Sequence, residues 1–291
     1  MTGFVTRFAP SPTGYLHLGH AFSALMAFSA AREAGGRLLL RIEDIDTTRC
    51  KPEFEEAIYE DLAWLGMEWE EPVRRQSEHF SEYHAAIEGL AARGLVYRCF
   101  KTRKEILEDI ARAPHHPGEG PDGAIYPGPL APMSADEETA RLSAGEPFAW
   151  RLSMKGAADT LGDLSQLTFV EKGEGPDGER GEIPVRADRI GDVILGRKDV
   201  GTSYHLAVTL DDATQGISHV IRGQDLFFAT CVHRILQALL DLPVPVYRHH
   251  KLLTGPDGKR FAKRDKAQTL RALRETGVTA AEVCQQLGFN S

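Results

Sequence analysis

The sequence predicts an α/β fold: a parallel sheet with helical crossovers, broken by an inserted segment and followed by a short helical tail. Three observations predict it. Strand-like and helix-like segments alternate as far as Arg93, and a Pro/Gly-stiffened turn feeds directly into an alanine-rich helical stretch. The pattern then loosens over residues 97–188 and resumes beyond them. Such alternation implies parallel strands joined by helices packed against the sheet.

The elements follow in order. Phe4 to Phe8 is a short strand, and a helix from about His20 to Ala34 stops at Gly35-Gly36. Leu38 to Ile42 reads as a buried strand, with amphipathic helices over Glu53 to Leu65 and His79 to Arg93. Within the insertion, Pro114 to Pro132 is rich in Pro and Gly and reads as an exposed irregular loop, and Lys172 to Gly181 as a hairpin tip. Strands are expected at Asp192 to Leu195, Tyr204 to Leu210 and Ser218 to Ile221. Leu226 to Leu240 has helical apolar spacing, and Lys266 to Ser291 carries two further helical patterns. The expected divisions are 1–96 and 189–245 for the two halves of the sheet, 97–188 for the insertion, and 246–291 for a basic loop with the helical tail.

At 291 residues the chain can bury one large core or two modest ones. Its apolar runs are far shorter than the roughly 20 residues of a membrane span. The N-terminus lacks the charged-then-apolar pattern of a signal peptide. Four scattered cysteines form no C-x-x-C pair, which fits a reducing, cytoplasmic location. The net charge of −8 argues against a general nucleic-acid coat protein. Residues 53–71 hold eight acids and no base, and read as a solvated helix face. Residues 248–266 hold seven bases against two acids around Gly255, Pro256 and Gly258. An acidic body with one basic loop suits an enzyme that meets polyphosphate in one place.

Residues 7–20 read Arg-Phe-Ala-Pro-Ser-Pro-Thr-Gly-Tyr-Leu-His-Leu-Gly-His. A turn entering a helix N-terminus presents free backbone N–H groups and the positive end of the helix dipole, which is a phosphate seat. His17 and His20 beside it can donate hydrogen bonds to a phosphoryl group as charge builds in its transition state. H-x-G-H alone is a weak motif, equally read as a helix start with a capping histidine. With Arg7, Ser11 and Pro12-Thr13-Gly14 it resembles the first signature of class I aminoacyl-tRNA synthetases, in the form of the glutamyl branch.

That resemblance runs from Arg7 to about Arg264. It implies a Rossmann-like doubly wound parallel sheet with an inserted α+β subdomain and a short helical C-terminal extension. It also implies ATP, as its Mg²⁺ complex, and L-glutamate as substrates. His17, Gly19 and His20 match the ATP site. Arg260, Phe261, Ala262, Lys263 and Arg264 stand where the family has a second, lysine-bearing signature that clamps phosphates. There the first lysine has become Arg260 and the serine Ala262, whereas the catalytic lysine is kept as Lys263. Arg7, Phe8, Ala9, Pro10 and Ser11 match the glutamate side of the pocket. Glu43 matches the carboxylate near the substrate ammonium, and Tyr204 and Arg222 match two further glutamate contacts. An arginine grips a carboxylate bidentately, which favours glutamate over glutamine.

Gln76-Ser77-Glu78-His79, Ser203-Tyr204-His205-Leu206 and His249-His250-Lys251-Leu252-Leu253 are similar to the short glutamyl-Q tRNA(Asp) synthetase family. That likeness implies activation of glutamate without tRNA, then esterification to queuosine at the wobble position of tRNA(Asp). The sequence runs 27 residues beyond Arg264, so no anticodon-reading domains are expected. Some relatives hold zinc through Cys-x-Cys, a Tyr and a further Cys. Here Cys99 is followed by Phe100-Lys101, and Leu130 stands four residues after Tyr126, so no zinc is expected. His115 and His116 read as solvated loop histidines. The competing readings are a truncated glutamyl-tRNA synthetase charging tRNA(Glu), a non-catalytic tRNA-binding paralogue, and a small-molecule nucleotidyltransferase. No G-x-S-x-G elbow supports a serine hydrolase.

Overall fold

The computed structural model describes residues 3–112, 119–120, 123–129, 131–197, 200–253 and 269–289. Strand β1 (Val5–Phe8) is buried along its length and leads through the Pro/Gly turn into helix α1 (Leu18–Glu33). Ala21, Ala24, Ala27, Ala30 and Ala31 are its buried small residues. Gly35 turns the chain back at a φ of +58°, and a Cβ on Gly36 would stand 2.3 Å from the Phe4 carbonyl oxygen. Strand β2 (Arg37–Ile42) then pairs parallel with β1, Val5 opposite Arg37.

Helix α2 (Pro52–Trp64) opens with proline and with Glu53 and Glu55 in its first turn, which suits the dipole. Strand β3 (Glu70–Arg75) adds parallel to β2, and helix α3 (Phe80–Ala92) follows. The next stretch contains β4 (Val96–Cys99), α4 (Arg103–Arg112), a two-residue ribbon of β5 (Glu119–Gly120) and β6 (Gly123–Ala124), α5 (Ala135–Ser143), β7 (Ala149–Leu152) and α6 (Met154–Leu161). A hairpin of β8 (Thr168–Glu171) and β9 (Gly181–Pro184) comes next, with its tip where the sequence places one. Then follow β10 (Ile194–Gly196), α7 (Tyr204–Thr214), β11 (His219–Gly223), α8 (Ala229–Leu239), β12 (Val246–His250), α9 (Leu270–Glu275) and α10 (Ala280–Gln286).

The strands are ordered β1-β2-β3 in one sheet and β11-β12-β8-β9 in another, with β10-β7-β4 forming a separate antiparallel sheet. The first two meet along β1 and β11: Ser218 N donates to the Val5 carbonyl at 3.0 Å, and Ser218 Oγ accepts from Val5 N at 2.8 Å. Strand order therefore runs outward in both directions from β1 and β11, making this seam the switch point of a doubly wound sheet, where ligands bind at the strands' C-terminal ends. Two apolar cores flank it. Leu39 of β2 joins the core under α3, α7 and α8, while Leu38 and Leu40 join the core under α1, α2 and α9.

Three expectations are corrected. Tyr204 to Leu210 is the start of α7 and not a strand: Ser203 is its N-cap, its hydroxyl accepting from Leu206 N. Asp192 to Leu195 contributes to β10, which pairs antiparallel with β7. The 97–188 limits do not follow the hydrogen bonding either, because β10 belongs with β4 and β7 whereas β8 pairs parallel with β12. The acidic stretch 53–71 is mostly exposed, but Asp61 is fully buried, 3.5 Å from Arg274 of α9.

Candidate active site

The C-terminal ends of β1 and β11 open on a cavity of about 440 Å³. It is lined by Arg7, Phe8, Ala9, Pro10, Ser11, His17, Gly19, His20, Glu43, Tyr204 and Arg222. The structure thus brings together the residues expected at the ATP and glutamate sites, while Arg260, Phe261, Ala262, Lys263 and Arg264 lie outside the described residues. Residues not foreseen also line it, among them Ser23, Asp225, His250 and Leu252. His250 Nδ1 donates to the Lys251 carbonyl, so its Nε2 accepts from Ser23 Oγ at 3.0 Å. The only sequence signal for this contact was the His249-His250 pair.

At the phosphate-seat end, the two histidines form the start of α1. His17 Nδ1 accepts from Gly19 N at 3.1 Å, and His20 Nδ1 accepts from His17 N at 3.2 Å, a capping box made of imidazoles. Capping and chemistry are therefore compatible: with Nδ1 accepting, each ring carries its proton on Nε2. The ring centroids lie 3.9 Å apart. A Cβ on Gly19 would meet the His17 ring at 3.0 Å, so a side chain there displaces His17.

On one flank, buried charges are neutralised pair by pair. Arg7 Nε donates to Asp212 at 2.9 Å; Arg41 Nη1 donates to the same carboxylate at 2.7 Å, and its Nη2 to Glu43 at 3.1 Å. Arg41 is fully buried, and Asp211 behind it takes hydrogen bonds from Arg74, Gln76 and Tyr83. Burial disfavours the Asp212 anion, but Arg7 and Arg41 outweigh that and hold its pKa below the ordinary value. For Glu43 burial wins: its pKa stays above the ordinary carboxylate value despite Arg41 and Arg7.

The opposite flank is different. Arg222 is only 5% exposed, yet no carboxylate lies within ion-pair distance of it among the described residues. Its N–H groups meet neutral acceptors: Nε to His249 Nε2 at 3.1 Å, Nη1 to the Tyr204 hydroxyl at 3.3 Å and His233 Nδ1 at 3.4 Å, Nη2 to the Leu226 carbonyl at 3.1 Å and Thr230 Oγ1 at 2.7 Å. Burial, with Arg222 nearby, pushes His233 down and His249 down to about 4, although Glu171 pulls the latter up. A buried cation without a counter-charge is costly unless a ligand supplies one.

A larger cavity of about 940 Å³ adjoins through Ser11, Glu43 and Tyr204, and carries Arg49, Arg103, Arg151 and Arg189 on its walls. Cys99 and Tyr126 line it too. Among the described residues no three His, Cys, Asp or Glu side chains are grouped to hold a metal ion; His115 and His116 lie outside them. No helix among those residues is long and apolar enough to cross a membrane.

A doubly wound sheet with a histidine-capped helix at its switch point defines a nucleotide-binding catalytic domain. The chain belongs to the tRNA synthetases class I (E and Q) catalytic-domain family, whose model matches residues 4–289. It is 50% identical over 290 residues to a glutamyl-Q tRNA(Asp) synthetase of Rhodobacter capsulatus, covering 98% of this chain and 100% of that one. It is 38% identical to one from Symbiobacterium thermophilum, covering 98% and 85% respectively. A glutamate–tRNA ligase of Dinoroseobacter shibae is 36% identical, but the match covers 94% of this chain and 58% of that one. Among solved structures, the glutamate tRNA ligase of Elizabethkingia meningosepticum, crystallised with its amino acid, superposes with a TM-score of 0.72 at 29% identity, over 90% of this chain and 52% of the other.

Proposed function

We propose that the protein activates L-glutamate with ATP, without tRNA, and transfers the glutamyl group to the queuosine cyclopentenediol at the wobble position of tRNA(Asp). The observation that carries the glutamate assignment is Arg222, a buried cation with no carboxylate partner among the described residues, in one cavity with His17 and His20. A substrate carboxylate supplies the missing charge, and glutamine's neutral side-chain amide does not. Glu43 receives the ammonium, and the Tyr204 hydroxyl adds a polar contact beside Arg222.

The substrate's α-carboxylate oxygen then attacks the α-phosphorus of ATP, and pyrophosphate leaves with the former P–O bonding pair. The Nε2–H groups of His17 and His20 and the amide groups of the α1 N-terminus stabilise the charge that builds on the phosphoryl oxygens. Mg²⁺ would enter with the triphosphate, on the family resemblance. Arg260 and Lys263 complete the phosphate clamp on the family resemblance alone. In the second step a queuosine hydroxyl attacks the acyl carbon, its proton is lost, and AMP departs. The larger cavity, basic and continuous with the first through Ser11, Glu43 and Tyr204, supports entry of a nucleotide from that side.

The test is ATP–pyrophosphate exchange, followed by transfer of labelled glutamate. Exchange is expected with glutamate alone, and much less with glutamine or aspartate. Queuosine-containing tRNA(Asp) is expected to accept the label, and the same tRNA with guanosine is not. Labelling of tRNA(Glu) at its 3′ end would replace this reading with that of a truncated synthetase.

A further inference from the structure

Behind Arg222 lies a chain of buried groups that no step above uses. Glu171 of β8 is 1% exposed, His249 of β12 is 2% and His233 of α8 is 3%. Glu171 Oε1 accepts from His249 N at 2.9 Å and from Gly173 N at 2.6 Å, while Oε2 lies 2.5 Å from His249 Nδ1. An ionised carboxylate only accepts, so Nδ1 carries the imidazole proton, and Nε2 turns its lone pair to Arg222 Nε at 3.1 Å. His233 must likewise accept at Nδ1, because a guanidinium only donates, and its Nε2–H then faces His205 Nδ1 at 3.2 Å.

We infer that Glu171 is a positioning residue for amino-acid selection: through His249 it fixes the tautomer that orients Arg222, and so leaves the guanidinium charge without a counter-ion among the described residues until a substrate carboxylate arrives. This rests on the glutamate-activation reading. The chemistry explains why the carboxylate stands one residue behind the arginine. In direct contact, Glu171 would neutralise Arg222 and remove its preference for an anionic side chain. Behind a neutral imidazole, it directs the hydrogen bonding while the cation remains without an ion-pair partner among the described residues. Gly173 leaves room for this arrangement, since a Cβ there would lie 2.1 Å from the His249 carbonyl oxygen. His249 is thus held from both sides, by its backbone and by its ring.

The test is Glu171→Gln. Its amide N–H₂ would face His249 Nδ1, drive the ring to the Nε2–H form and set two donors against each other at Arg222. The glutamate KM in pyrophosphate exchange is expected to rise at least tenfold with the ATP KM unmoved, and preference for glutamate over glutamine to shrink. Glu171→Asp, which keeps the acceptor, restores part of both. His249→Gln presents an amide oxygen near the Nε2 position whatever stands at 171, so adding Glu171→Gln to it should change the glutamate KM less than twofold. Histidine ¹⁵N spectra give a readout independent of activity: His249 is protonated on Nδ1 in the native protein and on Nε2 in folded Glu171→Gln. An Nε2–H tautomer in the native protein, or an unchanged glutamate KM in Glu171→Gln, overturns the inference. Absence of any glutamate-dependent exchange in the native protein instead refutes the activity, and the tautomer measurement still decides the positioning role. Should Glu171→Gln not fold, the native spectrum and Glu171→Asp kinetics carry the decision: native Nε2–H, or a glutamate KM unchanged in Glu171→Asp, counts against it.

Discussion

Arg7 on β1 and Arg222 on β11 sit on adjacent strands, are 4% and 5% exposed, and line the same cavity, but they are neutralised in opposite ways. Asp212 meets Arg7 at 2.9 Å and also holds Arg41, so this flank is charge-balanced before any ligand arrives. Arg222 meets hydroxyl, carbonyl and imidazole acceptors alone among the described residues. The difference teaches that equal burial of two arginines says little about their roles. A paired cation supports the fold, whereas an unpaired one is stabilised when its ligand comes.

The largest effect that could break this comparison is on the paired side. Asp212→Ala strands the buried Arg7, while Arg41 keeps Glu43 and Asp211, and removing one partner of a buried pair typically costs about 3–5 kcal/mol. Chemical denaturation should register that loss; a change below about 1 kcal/mol would show that Arg7 needs no counter-charge. On the unpaired side, Arg222→Gln should cost less in stability and act on substrate. Losing a charged hydrogen-bonding partner costs about 1.5–3 kcal/mol, or roughly one to two orders of magnitude in glutamate KM, with the ATP KM nearly unchanged. An unaltered glutamate KM in the folded variant removes Arg222 from the amino-acid pocket.

A pH series sharpens the comparison further. Glu43 must be ionised to receive an ammonium, and its pKa lies above the ordinary 4.5 because burial outweighs Arg41 and Arg7. Glutamate affinity should therefore fall as pH drops through that raised pKa, beginning above pH 4.5, and Glu43→Gln should flatten the profile. The smallest effect concerns Asp61, whose carboxylate oxygens have no hydrogen-bond partner and whose pKa burial pushes up to about 6. A carboxyl with a raised folded pKa stabilises below its unfolded pKa of 3.8 and loses that contribution as pH rises towards about 6. Asp61→Asn should then raise the melting temperature at neutral pH by a few degrees, about 1 kcal/mol. A fall would mean that the 3.5 Å contact with Arg274 outweighs burial.

How much of this was legible in the sequence depended on whether the signal was local. Residues 7–20 are contiguous, and their turn, cap and histidines could be read together. Tyr204 to Leu210 reads as a strand because Leu206, Val208 and Leu210 alternate, but the Ser203 cap opens a helix there. That helix turns Asp211 and Asp212 inward, so missing it hid the paired network as well. Strand β3 reads Glu-Glu-Pro-Val-Arg-Arg, too charged to suggest a sheet, and survives as the edge of β1-β2-β3. Glu171, His233 and His249 are far apart in sequence, and nothing near any of them announces a shared arginine. Arg260 and Lys263 were read from the family pattern and lie outside the described residues.

The imidazole capping box at the start of α1 carries a consequence for how far this protein can be stabilised. Asn, Asp and Ser are the favoured N-caps, so a histidine at position 17 gives up helix stability that a smaller residue would supply. His17→Asp would restore a strong cap and complement the dipole, but it would place an anion at the proposed phosphate seat and delete a donor. A consensus or thermostability screen scored on melting temperature alone would select that substitution, and in doing so would select against catalysis.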